Sequence, residues 1–162
     1  MTPTNPHTPL ARLLATAYRD LVEGLHERLA ERGWDDVRPA FGFALLASRD
    51  APTTITELAA LMGTTKQAAS KLAIAMIDAG YLVREGGSDD ARQHPLRLST
   101  RGSNLLADVE DIYEELEGDW ALVIGAPAVE RLRRDLEKAL TASHGGRLPA
   151  VRPPWTGRGV GE

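Results

Sequence analysis

Apolar residues recur three or four apart from the first tenth of the chain: Leu10, Leu14, Ala17, Tyr18, Leu21, Leu25 and Leu29. This spacing predicts an amphipathic helix over 10–31, ended by Gly33. Trp34 opens a short connection to a second predicted helix over Val37–Ser48, and Pro52 enforces a turn after it. Thr54-Ile55-Thr56-Glu57 matches a capping box at the start of a short helix running to Met62. Gly63 breaks that helix, Thr65 is placed to cap the next, and Gly80 stops it after Ala79. Tyr81–Glu85 and Pro95–Leu98 read as strands joined by a loop over Gly86–His94. From Thr100 to Ile124 the stripe returns at Leu105, Val109, Ile112, Leu116, Trp120 and Val123, opposite Asp108, Asp111, Glu114 and Glu115. Such a helix is about 35 Å long, too long for a core of this size to cover its apolar side throughout. Pro127 can start a last helix through Val129, Leu132, Leu136 and Leu140.

The elements follow the order α-α-α-α-β-β-α-α. This is a mainly α (α+β) chain, a winged helix–turn–helix between N- and C-terminal helices that form a dimerisation region. Residues 1–9 are expected to be a disordered N-terminus and 143–162, rich in Gly, Pro and Arg, a flexible tail. Residues 10–142 are expected to form a single domain. Its winged-helix part spans 37–102, and its dimerisation helices 10–34 and 103–142. Both helical flanks carry apolar stripes. Either they pack against a second copy about a two-fold axis, which is the simpler cover, or they close an intramolecular bundle.

The helix after Thr65 is divided against itself. Lys66-Gln67-Ala68-Ala69-Ser70-Lys71 is small and polar, whereas Leu72-Ala73-Ile74-Ala75-Met76-Ile77 is apolar on every side. The second half is expected to be buried all round, so the first must project. Small residues at Ala68, Ala69 and Ser70 allow close backbone approach to a partner. Lys66, Gln67 and Lys71 supply donors suited to guanine acceptors, adenine edges or phosphates. A solvated helix start would need no such partner, but a charged hairpin follows it in sequence. In that hairpin, strand alternation turns Leu96 and Leu98 inward and Arg97 outward. Arg92 lies at the tip, where an arginine suits a narrow minor groove, and Asp90 can hold its guanidinium in register.

Composition narrows the classes of function. Cysteine is absent, which excludes thiol redox sensing, disulfides and Cys-ligated metal. His7, His26, His94 and His144 have no metal-ligand spacing, so neither a metal nor a cofactor is expected. No apolar run approaches the ~20 residues of a membrane span, and Met1–Pro9 lacks the features of a signal peptide. A cytoplasmic protein without membrane contact is expected. The net charge of −4 taken alone opposes nucleic-acid binding, yet it is unevenly divided: −2 over 1–36, +2 over 37–103 and −4 over 104–162. Phosphate affinity follows local charge, and the positive third contains the helix–turn–helix pattern. No paired carboxylates, Ser/His/Asp set or phosphate-binding loop supports an enzyme, since Gly86-Gly87 lies in a hairpin.

Leu58-Ala59, Gly63 through Leu72, Ala79-Gly80-Tyr81-Leu82, Asp90-x-Arg92 and Leu98-Ser99-Thr100-x-Gly102 together resemble the MarR family of bacterial transcription regulators. The order and spacing fit from Leu58 to Gly102; the flanking helices fit in pattern alone. The resemblance implies a homodimeric, ligand-responsive repressor bound to a pseudo-palindromic operator in double-stranded DNA. Its DNA-binding set would be Thr64, Thr65, Lys66, Gln67, Ser70, Lys71, Asp90, Arg92 and Arg97. It also implies a small-molecule effector seated between the dimer and DNA-binding parts. Trp34, Phe41, Phe43, Tyr113 and Trp120 are the apolar surfaces expected to meet that effector. The chain departs from the family at Ala91, where many relatives carry a second basic residue, and at Ala69, where a larger apolar residue is usual. The alternative is a winged-helix module for protein–protein contact without sequence-specific DNA binding. Loss of the basic residues at 66, 71 and 92 would signal it, and all three are present.

Overall fold

The computed structural model describes residues 7–86 and 94–150. Six helices and one hairpin follow in the predicted order: α1 (Leu10–Glu31), α2 (Pro39–Ala47), α3 (Ile55–Met62), α4 (Lys66–Asp78), β1 (Leu82–Arg84), β2 (Leu96–Leu98), α5 (Thr100–Ile124) and α6 (Ala126–Ser143). Boundaries differ from expectation by one or two residues. Proline sets one of these differences, since Pro39 at the first position of α2 has no N–H for the helix to satisfy. Among the described residues, no helix is long and apolar enough to cross a membrane.

The core gathers one side of every element from α1 to α5. Leu25 and Leu29 of α1, Phe41, Ala44 and Leu45 of α2, and Leu58, Ala59 and Met62 of α3 are buried. They meet Ala69, Ala73 and Met76 of α4, Tyr81, Leu82, Leu96, and Leu105, Leu106, Val109 and Ile112 of α5. The hairpin is antiparallel with Leu82 opposite Leu98 and Arg84 opposite Leu96. Leu96 is buried and Arg97 exposed, as alternation predicts. Thr53 adds a bridge the sequence reading missed. Its amide donates to Leu96 O at 2.7 Å and its carbonyl accepts the Leu96 amide at 2.8 Å, so β2 is paired on both edges. The Thr53 hydroxyl also donates to Ala47 O at 2.8 Å, tying the turn after α2 to the root of the wing.

Polar contacts join α1 to α5 alongside the apolar seam. Arg32 donates to Asp108 at 2.8 Å and to Glu115 at 2.6 Å, and Arg28 donates to Asp119 at 2.6 Å. Trp34 Nε1 donates to the other Asp108 oxygen at 2.6 Å. Asp108 and Glu115, which the sequence pattern assigns merely to the polar side of α5, are therefore partners of the end of α1 and the residues just after it. At the base of the wing, Arg101 donates to Ala79 O at 3.1 Å, capping the carbonyl end of α4. Its guanidinium lies over Trp34 and Tyr81, at 5.0 and 4.9 Å from the ring centres.

Among the described residues, nothing covers the ends of the helical flanks. Leu10 and Leu13 are 63% and 53% exposed, Leu122 and Val123 are 88% and 84% exposed, and α6 buries no residue. The described residues thus leave open the stripe that an intramolecular bundle would close. Val123, expected on the packed side of α5, lies past the point where that helix leaves the core.

Candidate nucleic-acid interface

The turn between α3 and α4 is built by local chemistry. Thr54 Oγ1 accepts the Glu57 amide at 3.2 Å, and the Glu57 carboxylate accepts the Thr54 amide at 2.8 Å, completing the capping box. These bonds from Thr54 hold the Glu57 carboxyl below its ordinary value. Gly63 ends α3 in the left-handed region at φ 63°, which a side chain would disfavour. Thr65 then caps α4 by accepting the Ala68 amide at 3.1 Å. Because that bond uses a lone pair, the Thr65 hydroxyl proton stays free to donate.

Lys66, Gln67, Ala68 and Lys71 are exposed, Thr65 is exposed, and Thr64 and Ser70 are half-buried. These side chains share the outer side of the first two turns of α4, with Arg97 exposed on the neighbouring hairpin. Two details of the sequence reading need correction. Ala69 is fully buried: its small side chain serves the packing of α4 on the core rather than approach to a partner. The apolar half is not buried all round either, because Ile74 is 48% exposed while Ala73 and Met76 are buried. A helix packed on one side alone cannot cover every azimuth. Asp90 and Arg92, with Ala91 between them, lie outside the described residues.

A cavity of about 300 Å³ opens between α1, α2 and α5. Leu21, Val22, Leu25, Phe43, Leu46 and Val109 give it apolar walls, and Tyr18, His26, Arg38, Glu110 and Tyr113 bring polar groups to it. Burial, with smaller contributions from Tyr18 and Glu110, pushes the Tyr113 hydroxyl up to about 12, so it stays protonated. Burial also lowers His26 below its ordinary 6.5, favouring the neutral ring. Arg49 reaches the Glu110 carboxylate at 2.5 Å from the end of α2.

Of the five aromatic residues proposed for an effector, the structure brings Phe43 and Tyr113 to this cavity. Phe41 is buried against Tyr81 with ring centres 5.9 Å apart, and Trp34 also packs on Tyr81, at 6.0 Å. Trp120 stands half-buried far along α5.

The MarR family model, described as "MarR family", matches residues 43–93. Solved structures agree over most of the chain. MarR from E. coli in its apo form is 22% identical, covering 83% of this chain and 99% of its own, with a TM-score of 0.66. MepR, a transcription regulator of the Staphylococcus aureus multidrug efflux pump MepA, is 18% identical, covering 84% and 99%, with a TM-score of 0.63. A Mycobacterium tuberculosis MarR family protein in complex with salicylic acid is 24% identical, covering 82% and 96%, with a TM-score of 0.61. No curated protein matches the sequence.

The chain has the winged-helix fold of those MarR structures.

Within that MarR fold, the matched segment runs from α2 through both helices of the turn into the wing. It contains every residue expected to meet DNA except Arg97. The sequence reading missed Tyr18, His26, Arg38 and Glu110 as cavity residues. Their signal was faint: each lies within an ordinary amphipathic pattern, and convergence from three helices has no linear signature.

Proposed function

We propose that this chain is a homodimeric transcription regulator that binds a pseudo-palindromic operator and is released from it by a small molecule. The observation that carries the reading is the outer side of α4. Lys66, Gln67, Ser70 and Lys71 project from a capped helix start while Ala69, Ala73 and Met76 anchor the opposite side. A helix so held can enter a major groove with its donors aimed at base edges and phosphates. Thr64, Thr65 and Arg97 would meet the flanking backbone. Arg92, oriented by Asp90, would enter the adjacent minor groove. The uncovered stripes of α1 and α6 are the surfaces a second copy would cover, which would set two α4 helices about one helical turn, ~34 Å, apart.

The effector reading rests on the cavity. It lies where α1 and α5, which lead to the uncovered flanks, meet α2, which packs on the helix–turn–helix. An apolar chamber with a few polar groups suits a small aromatic molecule, and a relative of the same fold is seen with salicylic acid. A ligand there acts by binding more tightly to one spacing of the two α4 helices than to the other. Such a regulator would work in the cytoplasm and catalyse no reaction.

Selection of genomic fragments by the purified protein, followed by mobility-shift titration, tests this reading. Enrichment of a two-fold symmetric site is expected, with affinity weakened by Arg92→Ala. No enrichment, or affinity that Arg92→Ala leaves unchanged, would remove respectively the operator or the wing contact.

A further inference from the structure

Helix α4 presents one large apolar side chain that the fold itself does not use. Leu72, Ala75 and Ile77 pack on the core and Ala73 and Met76 are buried within it, whereas Ile74 stands 48% exposed. Ile74 follows Gln67 by seven residues, two turns of helix and about 10.5 Å of rise, and follows Lys71 by three. Gln67, Lys71 and Ile74 are all exposed, so they emerge from one side of α4. Stability alone favours a different residue there. A β-branched side chain lowers helix propensity, and this one leaves apolar surface in water.

We propose that Ile74 is a specificity-determining residue that packs on the C5 methyl group of a thymine. The inference rests on the DNA-binding reading above and extends it to a base that no polar side chain of α4 would identify. Ile74 has no donor, acceptor or charge, and the apolar feature of the major groove is the thymine methyl. Its distance from Gln67 corresponds to about three base-pair steps of ~3.4 Å, so the two side chains read separate bases of one half-site. Asp78, exposed one turn further on, carries a charge that phosphate repels and closes the reading stretch behind Ile74.

The test uses the full-length protein and a duplex selected by it from a random pool. Each thymine is replaced singly by deoxyuridine, which removes the methyl group and nothing else. Wild type is expected to lose roughly fourfold in affinity at one position of each half-site, the effect of one buried methyl-sized group. Ile74→Ala is expected to abolish that loss while keeping the sequence preference attributed to Gln67. Gln67→Ala is expected to keep it. Absence of any deoxyuridine effect in wild type, or an equal effect in Ile74→Ala, overturns the assignment while leaving DNA binding in place. If wild type selects no duplex, both readings fall together.

Discussion

A Cβ placed on Gly102 would lie 2.1 Å from the carbonyl oxygen of Tyr81. The glycine in Leu98-Ser99-Thr100-x-Gly102 is therefore a matter of space rather than backbone freedom: the start of α5 rests directly on the chain leaving α4. Ser99 fixes the same joint by accepting the Gly102 amide at 2.9 Å and donating to Gly80 O at 2.5 Å. Gly102→Ala should cost about 1–3 kcal/mol through overpacking, read as a lower urea midpoint; an unchanged midpoint would mean the joint yields freely. His26 makes a second prediction. Its pKa is lowered by burial, so the unfolded chain takes up a proton at a pH where the fold still resists one. The full stability is present above the ordinary 6.5 and declines as pH falls below it toward the folded-state value. Thermal unfolding followed from about pH 7 to about pH 5.5 should show a steeper loss in wild type than in His26→Gln. Parallel curves would contradict it.

On the proposed reading, helix α4 would combine anchoring and recognition by dividing its circumference. Ala69, Ala73 and Met76 hold one side on α3 and the wing, and Arg101 caps its carbonyl end from α5. The exposed side is thus presented by a rigid support, as base reading requires. Lys71→Ala should weaken binding to all duplexes alike and reduce the salt slope by about one if Lys71 meets a phosphate. Gln67→Ala should instead shift sequence preference, by ~1–3 kcal/mol at the base it reads. Titrations at several salt concentrations on a selected and a scrambled duplex separate the two, and a reversed pattern would exchange their roles.

Across the molecule, charge and apolar surface are segregated. The acidic thirds of the chain supply the flanks, and the basic third supplies the winged helix. Carboxylates of α5 are engaged by Arg28 of α1 and by Arg32 at its C-terminal cap. Exposed leucines and valines collect on α1, the end of α5 and α6, where no other described residue buries them. Light scattering should therefore return twice the chain mass of 17.5 kDa. A monomer mass would overturn the use proposed for the flanks.

Local rules were enough for the elements. Capping residues, Gly63, Gly80 and the three-to-four spacing of apolar positions act within a few residues, and the helices and hairpin follow them closely. They also sufficed to single out the outward polar side of the start of α4, because Lys66, Gln67 and Lys71 are costly to bury without partners. Contacts between distant segments could not be read in this way. The Thr53–Leu96 bridge, the Asp108 and Glu115 partners on α1, the burial of Ala69 and the exposure of Ile74 each depend on which azimuth of a helix meets a neighbour, and periodicity leaves that angle loose. The cavity belongs with them: its walls come from three helices whose approach is set by packing, so Phe43 and Tyr113 line it while Phe41 and Trp34 close on Tyr81. Sequence determines the elements through short-range chemistry, and tertiary packing decides which of their side chains remain available to a partner.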